Sequence, residues 1–442
     1  MTNSELLVPW RDAPAAHQPR WPDRAALERV LDRLATAPGL VGPRSVDGLR
    51  SRLAAVARGE AFALQGGDCA ETFAGATPDA IRNKTKTLLQ MAVILSYAAA
   101  RPVVKIGRMA GQYAKPRSSP VETRDGVTLP VYLGDAVNGL DFDPAARVPD
   151  PARLWRMYEA SRSTLDTVAG FARDGYAGLD QLHRWNRDFV AGSPAGARYE
   201  ELAYEIDHAL RFMNACGVQL DELRSADIFA SHEGLLLDYE HALTRVDPET
   251  GRSYAASGHM LWIGERTRAL DGAHVAYCRT IANPIGVKLG PTTTPDEVRG
   301  YVEALDPDRE PGRLTFITRM GAGLIRDRLP DLVRAVRDTG ATPVWISDPM
   351  HGNTFLAPSG HKTRHLADIL DEVRGFFAVH RALGTHPGGI HVEFTGEDVT
   401  ECIGGGHEVL AENLHHRYES ACDPRLNRGQ SLDLAFDIAE LL

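Results

Sequence analysis

Charged or metal-capable side chains follow eight short apolar runs of this sequence, at the point where each run ends. They are Asp68 with Cys69, Arg108, His232 with Glu233, Glu265 with Arg266, Lys288, Arg319, Asp348 with His351, and Glu393. One such residue alone is most often solvated or half of an ion pair. The repetition over eight runs predicts that these side chains share one mouth, the C-terminal face of a parallel barrel, where active sites lie.

Four of these residues are cations: Arg108, Arg266, Lys288 and Arg319. They form a local excess, because the chain as a whole has a formal net charge of -10. Guanidinium groups bind phosphate and carboxylate oxygens in a bidentate manner, and lysine adds a compact point charge. The set predicts a small ligand with several negative charges, whereas the acidic composition argues against a nucleic-acid partner.

Three other residues, Cys69, His351 and Glu393, offer a thiolate, an imidazole and a carboxylate. This mixture suits a borderline divalent metal such as Mn²⁺, Co²⁺, Fe²⁺ or Zn²⁺. Their long spacing matches no compact zinc motif, so two simpler interpretations stay open. Cys69 could be a small buried side chain, and His351 could be a hydrogen-bonded histidine near a turn.

The elements that must position these residues alternate along the chain. The predicted strands are Ala61–Gln65, Pro102–Ile106, Ala226–Ala230, Met260–Ile263, Pro284–Val287, Leu314–Thr318, Pro343–Ser347 and Gly389–Val392. Helical patterns separate most of them, which is typical of βα units and a parallel sheet. The sequence therefore predicts an α/β fold, a (β/α)₈ TIM barrel.

Helix boundaries are marked by capping residues. Thr77-Pro78 and Thr294-Pro295 each place a side-chain cap before a proline at the first helical position. A third helix is predicted from about Thr363 to Leu383, ending at Gly384. The connection from residue 265 to residue 283 is less clearly helical.

Two regions lie outside the regular alternation. Residues 1–59 are predicted to form an N-terminal helical extension, and residues 60–442 the catalytic barrel. The barrel carries a helical insertion at about 140–225, after the second strand, with amphipathic helices over 151–173 and 198–216. In the latter, Leu202, Ile206, Ala209 and Met213 share one face.

The cysteine pattern and the lack of targeting signals predict a cytoplasmic protein. The cysteines are Cys69, Cys216, Cys278, Cys402 and Cys422. Their odd number and wide spacing argue against a disulfide framework. The N-terminus has no signal-peptide pattern, and the most apolar stretch, Leu88 to Ala100, is too short to span a bilayer, so we expect no membrane association.

Long segments in order resemble the class II (plant-type and actinobacterial) 3-deoxy-D-arabino-heptulosonate 7-phosphate (DAHP) synthases. They are QGGDCAETF (65–73), GQYAKPRS (111–118), SHEGLLLDYE (231–240), WIGERTR (262–268), NPIGVKLGP (283–291), DPMHGNT (348–354), GTHPGGIHVEFTGEDVTEC (384–402) and ACDPRLN (421–427). The resemblance covers nearly the whole chain, although the first fifty residues match little. It implies a metal site made of Cys69, His351, Glu393 and Asp423, of which Asp423 does not follow a predicted strand.

The resemblance also implies substrate sites. Phosphoenolpyruvate is expected at Arg108, Glu265, Arg266, Lys288 and Arg319. Erythrose 4-phosphate is expected at the KPRS element, Lys115, Pro116, Arg117 and Ser118. The residues expected to take part in catalysis are Glu265, Lys288, Cys69 and His351.

The implied reaction condenses phosphoenolpyruvate, erythrose 4-phosphate and water to DAHP and phosphate, the first step of the shikimate pathway to aromatic amino acids. The expected cofactor is Mn²⁺ or Co²⁺, with Mg²⁺, Fe²⁺ and Zn²⁺ as alternatives. Alternatives that keep the same motifs are an amino-DAHP synthase of a 3-amino-5-hydroxybenzoate pathway and a DAHP synthase of a secondary-metabolite cluster. A metal-dependent aldolase on the same fold would not need the phosphoenolpyruvate residues. A regulatory or scaffold protein on a degenerate barrel would not need the metal ligands.

The resemblance further implies a homo-oligomer, aromatic effectors and a chorismate mutase partner. The segments VYLGDAVNG (131–139) and WISDPMHGN (345–353) are similar to relatives in secondary-metabolite clusters. This similarity and the divergent N-terminus favour weak or absent feedback by aromatic amino acids.

Overall fold

The computed structural model describes residues 9–173, 179–192, 196–216 and 227–442. Its centre is a closed barrel of eight parallel strands, which confirms the predicted (β/α)₈ fold. The strands are β1 (Phe62–Gly67), β2 (Val103–Arg108), β3 (Ile228–Glu233), β4 (Met260–Ile263), β5 (Ile285–Leu289), β6 (Leu314–Thr318), β7 (Val344–Ser347) and β8 (Gly389–Glu393).

Each barrel strand pairs with its neighbours in sequence, and β1 closes the barrel against β8 through the pair Ala63 and Gly389. The predicted runs at β4 and β6 have the observed bounds. The other strands differ by one to three residues at an end. Three runs were predicted to end before the charged residue that follows them, yet Arg108, Glu233 and Glu393 belong to the strands that present them.

Twelve helices surround the barrel in the described part of the chain. They are α1 (Arg24–Thr36), α2 (Pro43–Ala57), α3 (Pro78–Ala99), α4 (Ala152–Arg173), α5 (Leu179–Gly192), α6 (Glu200–Ala215), α7 (Leu237–Ala242), α8 (Ala273–Cys278), α9 (Pro295–Leu305), α10 (Ile325–Arg337), α11 (Leu366–Leu383) and α12 (Arg428–Ala439). The short α8 is the only helix between residues 265 and 283, where the sequence pattern was weak.

The capping predictions hold at α3, α9 and the end of α11. Thr77 and Thr294 accept hydrogen bonds from the first turns of their helices, and Gly384 ends α11 with a φ of 65°. The predicted start of α11 at Thr363 is wrong. Lys362–Thr363 instead pairs with Phe355–Leu356 in a short antiparallel hairpin, so the helix begins at Leu366.

The insertion after β2 contains the predicted helices α4 and α6, with α5 between them. A hairpin of Val121–Arg124 and Val127–Pro130 precedes these helices. On α6, Ile206 is buried and Leu202 is partly buried against the α3 side of the barrel. The side chain of Met213 lies outside the described structure.

Helix α2 closes the N-terminal end of the barrel. Its Leu49, Leu53 and Val56 pack in one cluster with inward-facing barrel residues such as Val104 and Ile106. The extension before residue 60 therefore shares the core of the barrel. Because α2 covers the N-terminal end of the barrel with apolar side chains, a polar site is expected at the opposite, C-terminal end.

No helix among the described residues combines the length and apolar character that crossing a membrane requires.

Candidate active site

A cavity of about 230 Å³ opens at the C-terminal ends of the barrel strands, where the sequence predicted a shared mouth. Its walls are formed by Arg108, Lys115, Pro116, Arg117, Ser118, Glu233, Trp262, Gly264, Glu265, Arg266, Lys288, Arg319, His351, Thr354, Lys362 and Asp423. Every residue that the family resemblance implied for substrate binding is in this wall. The segments that supply them are far apart in sequence and meet only through barrel closure.

Cations dominate the wall. The seven cationic side chains are Arg108, Lys115, Arg117, Arg266, Lys288, Arg319 and Lys362, and the three carboxylates are Glu233, Glu265 and Asp423. The cavity is therefore positive in a chain whose formal net charge is -10. This contrast fits a ligand that brings several negative charges.

The arginines differ in how freely they can meet a ligand. Arg108 is 2% exposed, and its guanidinium donates to the carbonyl oxygens of Asp68 at 2.6 Å and Cys69 at 2.7 Å. Arg108 thus also fixes the turn that carries Cys69. Arg319 makes one side-chain hydrogen bond among the described residues, to the carbonyl of His351 at 2.8 Å, so its other donors face the cavity.

Lys288 lies at the floor of the cavity and is ion-paired with Asp348. Burial lowers the pKa of Lys288 to about 8, although the Asp348 carboxylate opposes this shift. The carboxylate also contacts the Nδ1 atom of His351 at 2.8 Å. Asp348 therefore holds Lys288 and His351 side by side.

The turn after β1 holds Cys69 against Lys115 and Asp423 of the cavity wall. Gly67 has a φ of 151°, and a Cβ atom there would lie 2.4 Å from the carbonyl oxygen of Arg108. Only glycine fits such a position. This close approach allows β1 and β2 to present Cys69 and Arg108 together.

Three of the four predicted metal ligands form a cluster. One ligand atom from each of Cys69, Glu393 and Asp423 lies within 4.8 Å of the other two. The fourth, His351, is adjacent, because its Nε2 atom is 3.1 Å from Oε1 of Glu393. The backbone amide of Asp423 also donates to the Cys69 sulfur at 3.2 Å.

The donor set fits a divalent cation. Glu393 is fully buried, and its Oε1 atom accepts no hydrogen bond among the described residues, although Nη2 of Arg108 lies 2.9 Å away. A sulfur, two carboxylates and an imidazole suit a borderline metal. An interpretation of Cys69 as an ordinary buried side chain does not explain why two carboxylates cluster around its sulfur.

Charge around the cluster favours the ionised form of Glu393, whereas the surroundings of Cys69 favour its neutral thiol. Burial would raise the pKa of Glu393, but His351, Lys115 and Arg108 hold it well below its usual range. Burial and a hydrogen bond with Cys422 raise the pKa of the Cys69 thiol, whereas Lys115 acts in the opposite direction. A bound cation would favour the thiolate in the same way as Lys115 does.

The KPRS element connects the cluster to the cavity. Lys115 lies 2.6 Å from the Cys69 sulfur and is ion-paired with Asp423. Ser118, at the exposed end of the element, accepts a hydrogen bond from Arg266 at 2.8 Å. The predicted sugar-phosphate segment therefore lies between the candidate metal ligands and the predicted phosphoenolpyruvate residues.

Sequence reasoning did not select Trp262, Thr354 or Lys362 for this site. Glu233, which ends β3, was predicted at the shared mouth from its strand-end position but was given no role, and it lines the cavity. Burial raises the pKa of Glu233 despite the nearby cations, Arg108 foremost. Lys362 follows a loop rather than a strand, and its ion pair with Asp423 at 3.0 Å has no signal in the sequence.

A polycationic cavity beside a cluster of one thiol and two carboxylates, at the mouth of a (β/α)₈ barrel, defines an enzyme site for a small polyanion. The chain matches the model of the class-II DAHP synthetase family over residues 6–439. It therefore belongs to the class-II DAHP synthetase family, as the sequence motifs predicted.

Two relatives match almost end to end. One is phospho-2-dehydro-3-deoxyheptonate aldolase of Streptomyces coelicolor, 64% identical over 432 residues, which cover 98% of this chain and 96% of the relative. The other is phospho-2-dehydro-3-deoxyheptonate aldolase AroG of Mycolicibacterium smegmatis, 55% identical over 435 residues, covering 97% and 93%. Neither name refers to an amino sugar.

Proposed function

We propose that this protein condenses phosphoenolpyruvate with erythrose 4-phosphate and water to give DAHP and inorganic phosphate. The observation that carries the proposal is the convergence of Arg266, Lys288 and Arg319 on one cavity beside the Cys69–Glu393–Asp423 cluster. Both substrates are polyanions, and the relatives named above carry the name of this activity.

Phosphoenolpyruvate has a carboxylate and a phosphate, which need several donors at fixed positions. The free donors of Arg319 and the ammonium of Lys288 bind these groups and hold the C3 carbon toward the second substrate. The side chain of Trp262 forms one wall and limits how the enol can tilt. Fixing two reactants in this way supplies much of the rate enhancement.

Arg117 and Ser118 bind the phosphate of the sugar, which directs its aldehyde toward the cluster. When bound by Cys69, His351, Glu393 and Asp423, a divalent metal would act as a Lewis acid toward a carbonyl oxygen. The ammonium of Lys115, beside the same ligands, adds positive charge where negative charge develops.

The second half of the reaction adds water at C2 and releases phosphate. Glu233 and Glu265 are the carboxyl groups of the cavity wall besides Asp423, and each has a buried oxygen without a hydrogen bond among the described residues. We propose that Glu265, which lines the same cavity as Lys288, orients this water. Glu233, whose pKa is raised by burial, is the second carboxyl group available for proton transfer in the cavity.

The metal proposed here is Mn²⁺ or Co²⁺, and Mg²⁺, Fe²⁺ and Zn²⁺ are the alternatives.

We also propose a cytoplasmic homo-oligomer. The apolar side chains of Tyr204 and Phe212 on α6, which are 63% and 65% exposed, support an oligomer. An open groove between α1 and α4, with Arg33, Trp155 and Tyr158 in its walls, could receive an effector. Chorismate mutase as a partner stays a prediction from the family.

The test is phosphate release from phosphoenolpyruvate, followed with and without erythrose 4-phosphate and with and without a chelator. We expect release only when both substrates and a divalent metal are present, with DAHP formed in equal amount. Rates with an amino tetrose phosphate, measured in parallel, compare the amino-DAHP reaction. Absence of phosphate release from metal-loaded protein with either sugar would contradict the proposed function.

A further inference from the structure

Glu71 is a buried carboxylate that is neither among the residues lining the cavity nor among the candidate metal ligands. Its Oε2 atom accepts a hydrogen bond from the backbone amide of Ala110 at 3.0 Å. Its Oε1 atom accepts from the amides of Gly111 at 3.0 Å and Gln112 at 2.8 Å. One side chain therefore binds three consecutive amides of the loop after β2.

This loop has a conformation that needs external support. Ala110 has a φ of 61°, in the left-handed region that residues with a Cβ atom rarely adopt. Gly111 packs so tightly that a Cβ atom there would lie 2.3 Å from Nδ1 of His232. Ionised carboxylates make strong hydrogen bonds to amides, so Glu71 can hold this conformation.

The loop is the link between the two substrate segments. It begins just after Arg108 and leads directly into Lys115 and the KPRS element. Glu71 itself stands two residues after Cys69, and its own amide donates to the carbonyl of Gln112 at 2.7 Å. The Gln112 side chain in turn accepts from the amide of Glu233 at 2.9 Å.

We propose that Glu71 is a positioning residue that sets the distance between the Cys69 turn and the substrate-binding segments on either side of the loop. The inference rests on the proposed function and adds a residue that touches neither substrate. Through the three amides it holds Arg108 and the KPRS element in register with the Cys69 turn. Gln112 extends the same support to Glu233 on β3.

The test is Glu71→Gln, which keeps the size of the side chain but turns one acceptor oxygen into an amide that faces backbone donors. Asp306→Asn is the matched control. Asp306 is also buried and accepts a backbone amide, from Glu310 at 2.7 Å, but it ends α9 at the opposite end of the barrel. Binding of phosphoenolpyruvate alone is measured by calorimetry on Mn²⁺-loaded protein, and the KM for erythrose 4-phosphate by phosphate release.

We expect Glu71→Gln to weaken phosphoenolpyruvate binding and raise the KM for erythrose 4-phosphate by roughly 10- to 100-fold, while Asp306→Asn changes neither by more than about twofold. The double variant Glu71→Gln, Ala110→Gly should recover part of the loss, because glycine adopts positive φ freely. If Glu71→Gln does not fold, Glu71→Asp is tested instead, because it keeps the carboxyl group but shortens the side chain by one methylene group.

Unchanged binding and KM in the Glu71 variant, with only a lower melting temperature or active fraction, would show a merely structural role and overturn the inference. The proposed function fails in a different way. In that case the wild-type protein itself would not bind phosphoenolpyruvate in the calorimeter.

Discussion

Replacing Arg319 by alanine tests the anion site most directly. Arg319 follows β6, lines the cavity and donates one side-chain hydrogen bond to the carbonyl of His351 at 2.8 Å. Its remaining donors are those that phosphoenolpyruvate would meet. The substitution therefore removes a ligand contact and also one support of the His351 loop.

The magnitude follows from the kind of bond that is lost. A hydrogen bond to a charged group contributes about 1.5–3 kcal/mol. Since about 1.4 kcal/mol corresponds to a factor of ten, loss of one such bond lowers kcat/KM for phosphoenolpyruvate by roughly 10- to 150-fold. A bidentate contact would extend the loss toward about 1,000-fold, because a tilted enol also loses alignment.

The assay is steady-state phosphate release at saturating erythrose 4-phosphate, with the metal content of each variant measured by mass spectrometry. Arg326→Ala is the control, since Arg326 forms a surface ion pair with Asp371 at 2.8 Å and should leave kinetics unchanged. Glu393→Ala should show the reverse pattern, losing metal but still binding phosphoenolpyruvate. Unchanged kinetics in Arg319→Ala would refute the role of the strand-end cations. A loss of metal there would assign the effect to the His351 loop.

Three further predictions concern metal, pH and feedback. Chelation should abolish activity, and Mn²⁺ or Co²⁺ should restore it. Cys69→Ser should bind metal far more weakly, as titration calorimetry can measure. Full activity in excess chelator would exclude a requirement for the metal. Burial raises the pKa of Glu372 to about 8 from 4.5, so the folded state binds the extra proton. The free energy of unfolding should then fall as pH rises from about 4.5 to 8, by up to about 1.4 kcal/mol per pH unit. Denaturant unfolding of Glu372→Gln should show a flatter dependence of this free energy on pH. An equal slope in the wild type and the variant would contradict the prediction. Tryptophan or phenylalanine should inhibit weakly or not at all, and strong inhibition at physiological concentration would contradict the similarity to secondary-metabolite relatives.

The barrel could be predicted because its signal is local. Each strand is an apolar run of fixed length, and caps such as Thr294-Pro295 mark the helices between the strands. The start of α11 could not be predicted in this way. Thr363 looks like a helix start, but its pairing with Phe355 across a short hairpin is a tertiary contact that helical periodicity does not report.

The site was predictable where it coincides with strand ends. Lys288, Arg319 and Glu393 follow or end apolar runs, and the barrel geometry brings such positions together without further information. Asp423 lies in a loop and Lys362 in a short hairpin outside the barrel, so residue patterns alone did not select them. Asp423 was found through the ACDPRLN motif, whereas Lys362 has no comparable signal.

The residues that support the loops of the site show why side-chain type alone does not identify such residues in the sequence. Glu71 and Glu372 are both acidic residues in polar surroundings of the sequence, and neither follows a strand. Each nevertheless lies buried and accepts backbone amides, Glu71 from the loop after β2 and Glu372 from Met320, after β6, at 2.8 Å. A buried carboxyl group needs hydrogen-bond partners around it, and here the donors are amides of loops that carry Arg319 or lead into Lys115. Two loops of the site are thus held by carboxyl groups that do not line the cavity, so activity should be sensitive to positions that the ring of strand-end charges does not reveal.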